Sequence, residues 1–235
     1  MREYFLVIDT ETSGLPKKWD APYSSNNNWP YILQIAWLIY DADGALVKKE
    51  NHYVKPGNFK ISKASLKIHH ITKEDLLHKG KDKLAIIKRL ANDIVKYQPL
   101  VVAHFTELDY HMVGVESFRL NIENPLLHKP LFCTMKASVP YIKNPNFKHL
   151  KLNVFYKTLF NKKPEKLHNA LSDATITSEI FFYLKNKGEV SDSIIAKQQI
   201  TTKTEFKKPD SFFKWFLSIF KIIIFFILIW YNYGK

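Results

Sequence analysis

Cysteine is almost missing from this chain. Cys133 is the only one, so no intrachain disulfide can form and a reducing compartment is expected. It sits in the apolar run Pro130-Leu131-Phe132-Cys133, the setting of a small core residue rather than of a nucleophile. Histidines at paired metal-ligand spacing are also lacking: His52, His78, His104, His111, His128 and His149 are scattered and read as surface or core, with His104 placed to line a site. There is no internal repeat. The N-terminus runs directly into an apolar segment without a basic stretch and small-residue cleavage site, so no signal peptide is expected. Acids are the minority charge, 22 against 35 Lys plus Arg, for a formal net charge of +13, of which +10 falls in residues 1–188 and +3 in residues 189–235. A basic domain of this kind suits a polyanionic partner. At 235 residues the chain allows one ordinary domain plus an appendage.

The few acids are concentrated where they matter. Asp9-Thr10-Glu11-Thr12-Ser13-Gly14 follows the apolar run Tyr4-Phe5-Leu6-Val7-Ile8, a short buried strand. Residues two apart share a strand face, so Asp9 and Glu11 present their carboxylates side by side. Adjacent carboxylates repel and resist burial, and a divalent cation is the usual compensator. Gly14 is expected to let the backbone turn sharply and approach a ligand.

Along the chain, residues 15–30 read as a loop, 31–40 as a strand buried on both faces, 41–44 as a turn and 45–54 as the returning strand of a hairpin. Thr72 with Asp75 resembles a capping box opening a short helix that stops near Gly80. Apolar residues recur at helical spacing over 84–97, and Pro99 ends that pattern. A brief strand at 100–103, a helix at 108–120, a strand from Leu131 and helices over 150–160 and 169–185 follow. The order predicts an α/β domain, a mixed sheet flanked by helices. Residues 189–210, rich in Ser, Thr, Lys and Gln without apolar periodicity, read as a linker.

Asp109 falls at a helix start directly after the strand at 100–103, and His168-Asn169-Ala170-Leu171-Ser172-Asp173 opens the last helix of the domain. Strand ends and helix starts are where such sheets gather functional residues. Asp9-x-Glu11, Asp109 after Val101-Val102-Ala103-His104, and His168-x4-Asp173 together resemble the three exonuclease motifs of the DEDDh, or DnaQ-like, family, named for the proofreading (epsilon) subunit of bacterial DNA polymerase III. The resemblance covers about residues 4–187. His70-Ile71-Thr72 is similar to the family's His-Gly-Ile-Thr segment, with His69-His70 in place of its first two residues. The chain departs at Phe105, where many relatives carry Asn.

The resemblance implies a ribonuclease H-like fold over 1–188 and two Mg²⁺ or Mn²⁺ ions. It further implies that Asp9, Glu11 and Asp173 hold one ion, that Asp9 bridges to the second and that Asp109 assists, while His168 acts as general base. Paired cations stabilise both oxygens of a phosphodiester displacement, and an imidazole suits proton abstraction near neutral pH. The backbone around Thr12, Gly14 and Leu15 would meet the 3′-terminal nucleotide, with Leu15 against its base. The implied activity is 3′→5′ hydrolysis of single-stranded ends, DNA ahead of RNA, with a DNA polymerase as one implied partner. An exoribonuclease acting on RNA or short oligonucleotides, and a catalytically idle module that tethers nucleic acid to a membrane, stay open as alternatives.

The membrane enters through 211–235. Fourteen Leu, Ile and Phe residues lie between Phe212 and Ile229. They favour insertion by about 4–8 kcal/mol against about 2.5–3.5 for Lys221. The stretch is apolar all round and just long enough for a transmembrane helix. Trp215, Trp230, Tyr231 and Tyr233 stand near its ends, and Lys203, Lys207, Lys208 and Lys214 precede it. The expectation is a single-pass tail anchor with the catalytic domain cytoplasmic. A core helix packed back on the domain is the alternative.

Overall fold

Apolar side chains on both faces of residues 4–8 set the centre of the molecule. In the computed structural model, which describes residues 3–200 apart from 26 and 166, β1 (Tyr4–Thr12) is the middle strand of a five-stranded sheet of order β3-β2-β1-β4-β5. β2 (Ile32–Asp41) and β3 (Leu46–Tyr53) add antiparallel on one side. Their turn needs Gly44, whose φ of 86° favours a residue without Cβ. β4 (Leu100–Ala103) and β5 (Leu131–Cys133) add parallel on the other side. Parallel pairing requires long crossovers. These are α1 (Lys63–His69), α2 (Lys73–Lys79) and α3 (Lys83–Tyr97) before β4, and α4 (Thr106–Arg119) before β5. α5 (Thr134–Ala137), α6 (Leu152–Phe160), α7 (Ala170–Asn186) and α8 (Asp192–Lys197) complete the order.

The two-residue period of β1 sorts its side chains between two cores. Leu6 and Ile8 pack with Ile86, Leu90, Met112 and Val113 of α3 and α4. Phe5 and Val7 pack with Phe155, Ile180, Phe181 and Leu184 of α6 and α7. Each such fully buried side chain stabilises the fold by about 1.5–3 kcal/mol. A third cluster of Leu33, Ile71 and Leu76 seats the α1–α2 segment beside β2.

Several elements depart from the sequence reading. β1 does not stop at Ile8: it stays paired with β2 through Thr12, with a bulge between Glu11 and Thr12. Asp9 and Glu11 therefore lie inside a paired strand. α4 begins at Thr106, two residues before the expected start. α1, α5 and α8, of 7, 4 and 6 residues, were not expected, being too short to show a helical period. α8 lies within the stretch read as a linker. Ser191 caps it, Ile195 is buried in the α7-side core, and the side chains of Gln198 and Gln199 accept the backbone N–H groups of Cys133 and Leu131. Gln199 also donates to the Leu131 carbonyl, so this segment covers the outer edge of β5 as a further strand would. Residues 201–210 and the span read over 211–235 lie outside the described residues. Among the described residues no helix is long and apolar enough to cross a membrane.

Candidate active site

β1 delivers Asp9 and Glu11 to the face that carries α7, because they continue the Phe5, Val7 row. Asp173, in the first turn of α7, meets them there: oxygens of Asp9, Glu11 and Asp173 lie within 4.8 Å of one another. Thr10 points to the opposite face, where its hydroxyl donates to the Asp109 carboxylate at 2.8 Å. Asp109 is thus held from behind the strand, outside the three-acid cluster, yet close enough for its charge to act on Asp9.

Burial raises the proton affinity of all four, and the charges of neighbouring acids add to it at Asp9, Glu11 and Asp109. Asp9 stands well above the ordinary carboxylate value, through burial first and then the charges of Asp109, Asp173 and Glu11. Burial, then Asp173, pushes Glu11 up to about 7. Burial pushes Asp109 up to about 8 against the hydrogen bond from Thr10, and pushes Asp173 up to about 6. Among the described residues no Lys or Arg pairs with any of them. Carboxylate oxygens alone, gathered without a basic partner, fit a hard divalent cation such as Mg²⁺ or Mn²⁺.

His168 stands just before α7 in left-handed backbone, φ 62°. That conformation turns its own N–H onto both Asp173 oxygens at 3.3 Å, while the side chain stays exposed. Burial and the nearby His70 hold its imidazole below the ordinary histidine value. It is neutral at pH 7 and able to accept a proton.

Two residues that position this cluster were missed in the sequence. Gln34, paired with Glu11 across the β1–β2 ladder, is fully buried. Its Oε1 accepts from Ala170 N–H at 3.2 Å and Asn169 Nδ2 at 3.3 Å, and its Nε2 donates to Asn51 at 2.9 Å. It ties the start of α7, and so Asp173, to the sheet. The signal was there, one polar residue within the apolar run Ile32–Ile39 of β2. His69 is the second. Ile71 N–H donates to its Nδ1 at 3.0 Å, which leaves Nε2–H to donate to the Thr12 carbonyl at 3.2 Å. It thereby fixes the chain just past Glu11.

Two expectations, for Gly14 and for His104, meet a different arrangement. Gly14 is not in the left-handed region, and a Cβ there would meet only Pro30 Cβ at 3.9 Å, so no sharp turn depends on glycine. Thr12 Oγ1 is spent on the Gly14 carbonyl at 2.6 Å. His104, read as lining the site, has both nitrogens engaged: Nδ1 with Thr134 Oγ1 at 2.9 Å and Nε2 with the Leu150 carbonyl at 3.1 Å. Burial pushes its pKa down to about 4, so it is a neutral structural clasp with no nitrogen left for substrate. Leu15, by contrast, is 66% exposed.

The fold is similar to that of E. coli exonuclease I. Its complex with a dT13 oligonucleotide matches at TM-score 0.66 and 14% identity, over 80% of this chain and 42% of that one. The complex with a dA16 oligonucleotide matches at 0.62 and 16%, over 79% and 41%. A full-length 3′-exonuclease matches at 0.62 and 13%, over 80% and 62%. The chain thus spans less than half the length of exonuclease I. No curated protein matches it. A sequence model of the exonuclease family matches residues 6–181, the stretch that carries all four acids and His168, and the chain belongs to that family.

Proposed function

We propose that the chain is a metal-dependent 3′→5′ exonuclease that removes nucleotides from single-stranded DNA ends. The observation that carries this reading is the convergence of Asp9, Glu11 and Asp173 within 4.8 Å in a domain of strongly positive charge. Asp9, Glu11 and Asp173 would hold divalent cations, with Asp109 behind them. When bound, a pair of such ions stabilises the attacking and leaving oxygens of an in-line displacement. The neutral imidazole of His168 takes the proton of the attacking water. The backbone of Thr12–Leu15 and the exposed Leu15 side chain border the terminal nucleotide. DNA is favoured because structures of the similar E. coli exonuclease I hold dT13 and dA16.

The test uses matched 5′-labelled DNA and RNA strands with Mg²⁺, Mn²⁺ or EDTA. The expected result is a ladder of shortened, label-retaining DNA products that disappears in EDTA. Undiminished cleavage in EDTA would defeat the two-metal reading, and preferential shortening of RNA would assign the exoribonuclease alternative.

Residues 211–235 complete the proposal as a tail anchor that holds the catalytic domain on the cytoplasmic side. The apolar run after Phe212 and the lysines that precede it support this. The full chain should stay with membranes through carbonate and high-salt washes. Release by salt alone would make the tail peripheral.

A further inference from the structure

His104 stands beside the acid cluster without serving it, and what it holds is a loop. The parallel register pairs Val7 with Val102. His104 directly follows β4, at the same end of the sheet to which β1 brings Asp9. The His104 Nε2–H bond to the Leu150 carbonyl, with Leu150 N–H donating to Ser138 Oγ at 2.9 Å, roots residues 142–151 at the catalytic end of the sheet. The other root is Tyr141, whose hydroxyl donates to Glu189 at 2.7 Å and whose ring lies 5.3 Å from that of Phe155.

Between these roots, residues 143–149 are exposed. Phe147 N–H donates to the Asn144 carbonyl at 3.1 Å, and Asn146 N–H donates to Asn144 Oδ1 at 3.0 Å, which closes a turn on Pro145. The turn presents Phe147, 57% exposed. Among the described residues no ring lies against it, and no acid pairs with Lys143, Lys148 or Lys151. The segment contains no Asp or Glu. A solvent-facing aromatic ring among unpaired lysines, fixed beside a phosphodiester-cleaving site, matches the two components of single-strand binding: base stacking and phosphate neutralisation.

We propose that residues 142–151 are a second contact surface for single-stranded nucleic acid, stacking one base on Phe147 and neutralising phosphates with Lys143, Lys148 and Lys151, and that His104 is the positioning residue that holds this surface beside the acid cluster. The proposal rests on the nuclease reading of that cluster. It extends substrate contact from the terminal nucleotide to the strand behind it.

Binding of a fluorescein-labelled oligo-dT of about 16 nucleotides to the full chain in EDTA, followed by anisotropy across a salt series, tests it. Phe147→Ala should weaken binding roughly 5- to 150-fold, the factor a base–aromatic stack is worth. Lys148→Gln should reduce the slope of log affinity against log salt by about 0.7. In a His104→Ala background the further effect of Phe147→Ala should shrink to under about twofold, since the loop is already released. With Mg²⁺ present the losses should read in KM rather than kcat. Val95→Ala, at an exposed position of α3, is the control.

Parental affinity and salt slope in both Phe147→Ala and Lys148→Gln would overturn the surface. A parent that cleaves nothing with any divalent metal, while Phe147→Ala still loses oligo-dT affinity, would overturn the nuclease reading and leave this surface standing.

Discussion

His168 shows how one backbone angle arranges a reaction. In left-handed backbone its N–H faces Asp173 and its exposed imidazole is left free to meet water. Replacing the ring should cost about 10²–10⁴ in kcat, the range of a positioned proton acceptor. His168→Ala should keep metal affinity and strand binding near the parent, because the ring is not among the cluster's ligands. The parental rate should rise with pH as the imidazole loses its proton, and that limb should vanish in the variant. His70→Ala supplies the signed control. His70 helps hold His168 below its ordinary value, so its removal should move the limb to higher pH. A His168→Ala protein that cleaves at the parental rate would take the histidine out of the mechanism. At this scale the sequence was informative wherever partners share an element or a motif: Asp9 with Glu11 along β1, and His168 with Asp173 at the start of α7. Gln34 and His69 were harder to see because their roles depend on Asn169, Ala170 and Thr12, residues that only the folded chain brings to them.

Among the elements, α7 starts on its own cap, Asn169, and on a contact from β2. Its first-turn acid is placed by Gln34, whose side-chain carbonyl receives the buried N–H of Ala170. Gln34→Met keeps the volume and removes the acceptor. It should cost about 1–3 kcal/mol for the unpaired buried donor, a drop of roughly 2–12 °C in Tm, together with weaker Mg²⁺ affinity as Asp173 drifts. Unchanged Mg²⁺ affinity in a folded Gln34→Met protein, measured by calorimetry, would show that α7 is seated without it. The long strands and the helices α3, α4, α6 and α7 were readable because each is long enough to show its apolar pattern, and α3 and α7 also carry side-chain caps at Asp82 and Asn169. α1 and α8 were not, since seven or fewer residues give periodicity nothing to work on. The segment around α8 looked like a linker because its contribution to the fold comes from the polar side chains of Gln198 and Gln199 on the β5 edge. Composition counts such residues as loop-forming.

Across the whole molecule, the acid cluster makes stability a function of pH and metal together. A carboxyl whose proton affinity rises on folding stabilises the fold below its unfolded value, and that contribution is lost as pH climbs through its folded value. With Asp173 raised to about 6, Glu11 to about 7 and Asp109 to about 8, the loss extends up to about pH 8. The buried histidines act in the opposite sense. His104 and His111, pushed down to about 4, add stability as pH rises, and that gain is complete above the ordinary histidine value of 6.5. Between pH 6.5 and about 8 the carboxyls are left to dominate, and the metal-free chain should melt at progressively lower temperature. A divalent cation replaces the missing protons and binds better as they leave. At one hundred times its Kd, Mg²⁺ should raise Tm by roughly 5–10 °C, with the larger rise at the alkaline end. Asp9→Asn removes one of the repelling charges and one ligand together, so it should flatten the metal-free slope and shrink the Mg²⁺ response. Thermal melts at the two pH values, with Mg²⁺ and with EDTA, check all of this at once. An equal Mg²⁺ response at both ends of the window would mean that protons and metal do not compete for these carboxylates, and the cluster would lose its assignment as the metal centre.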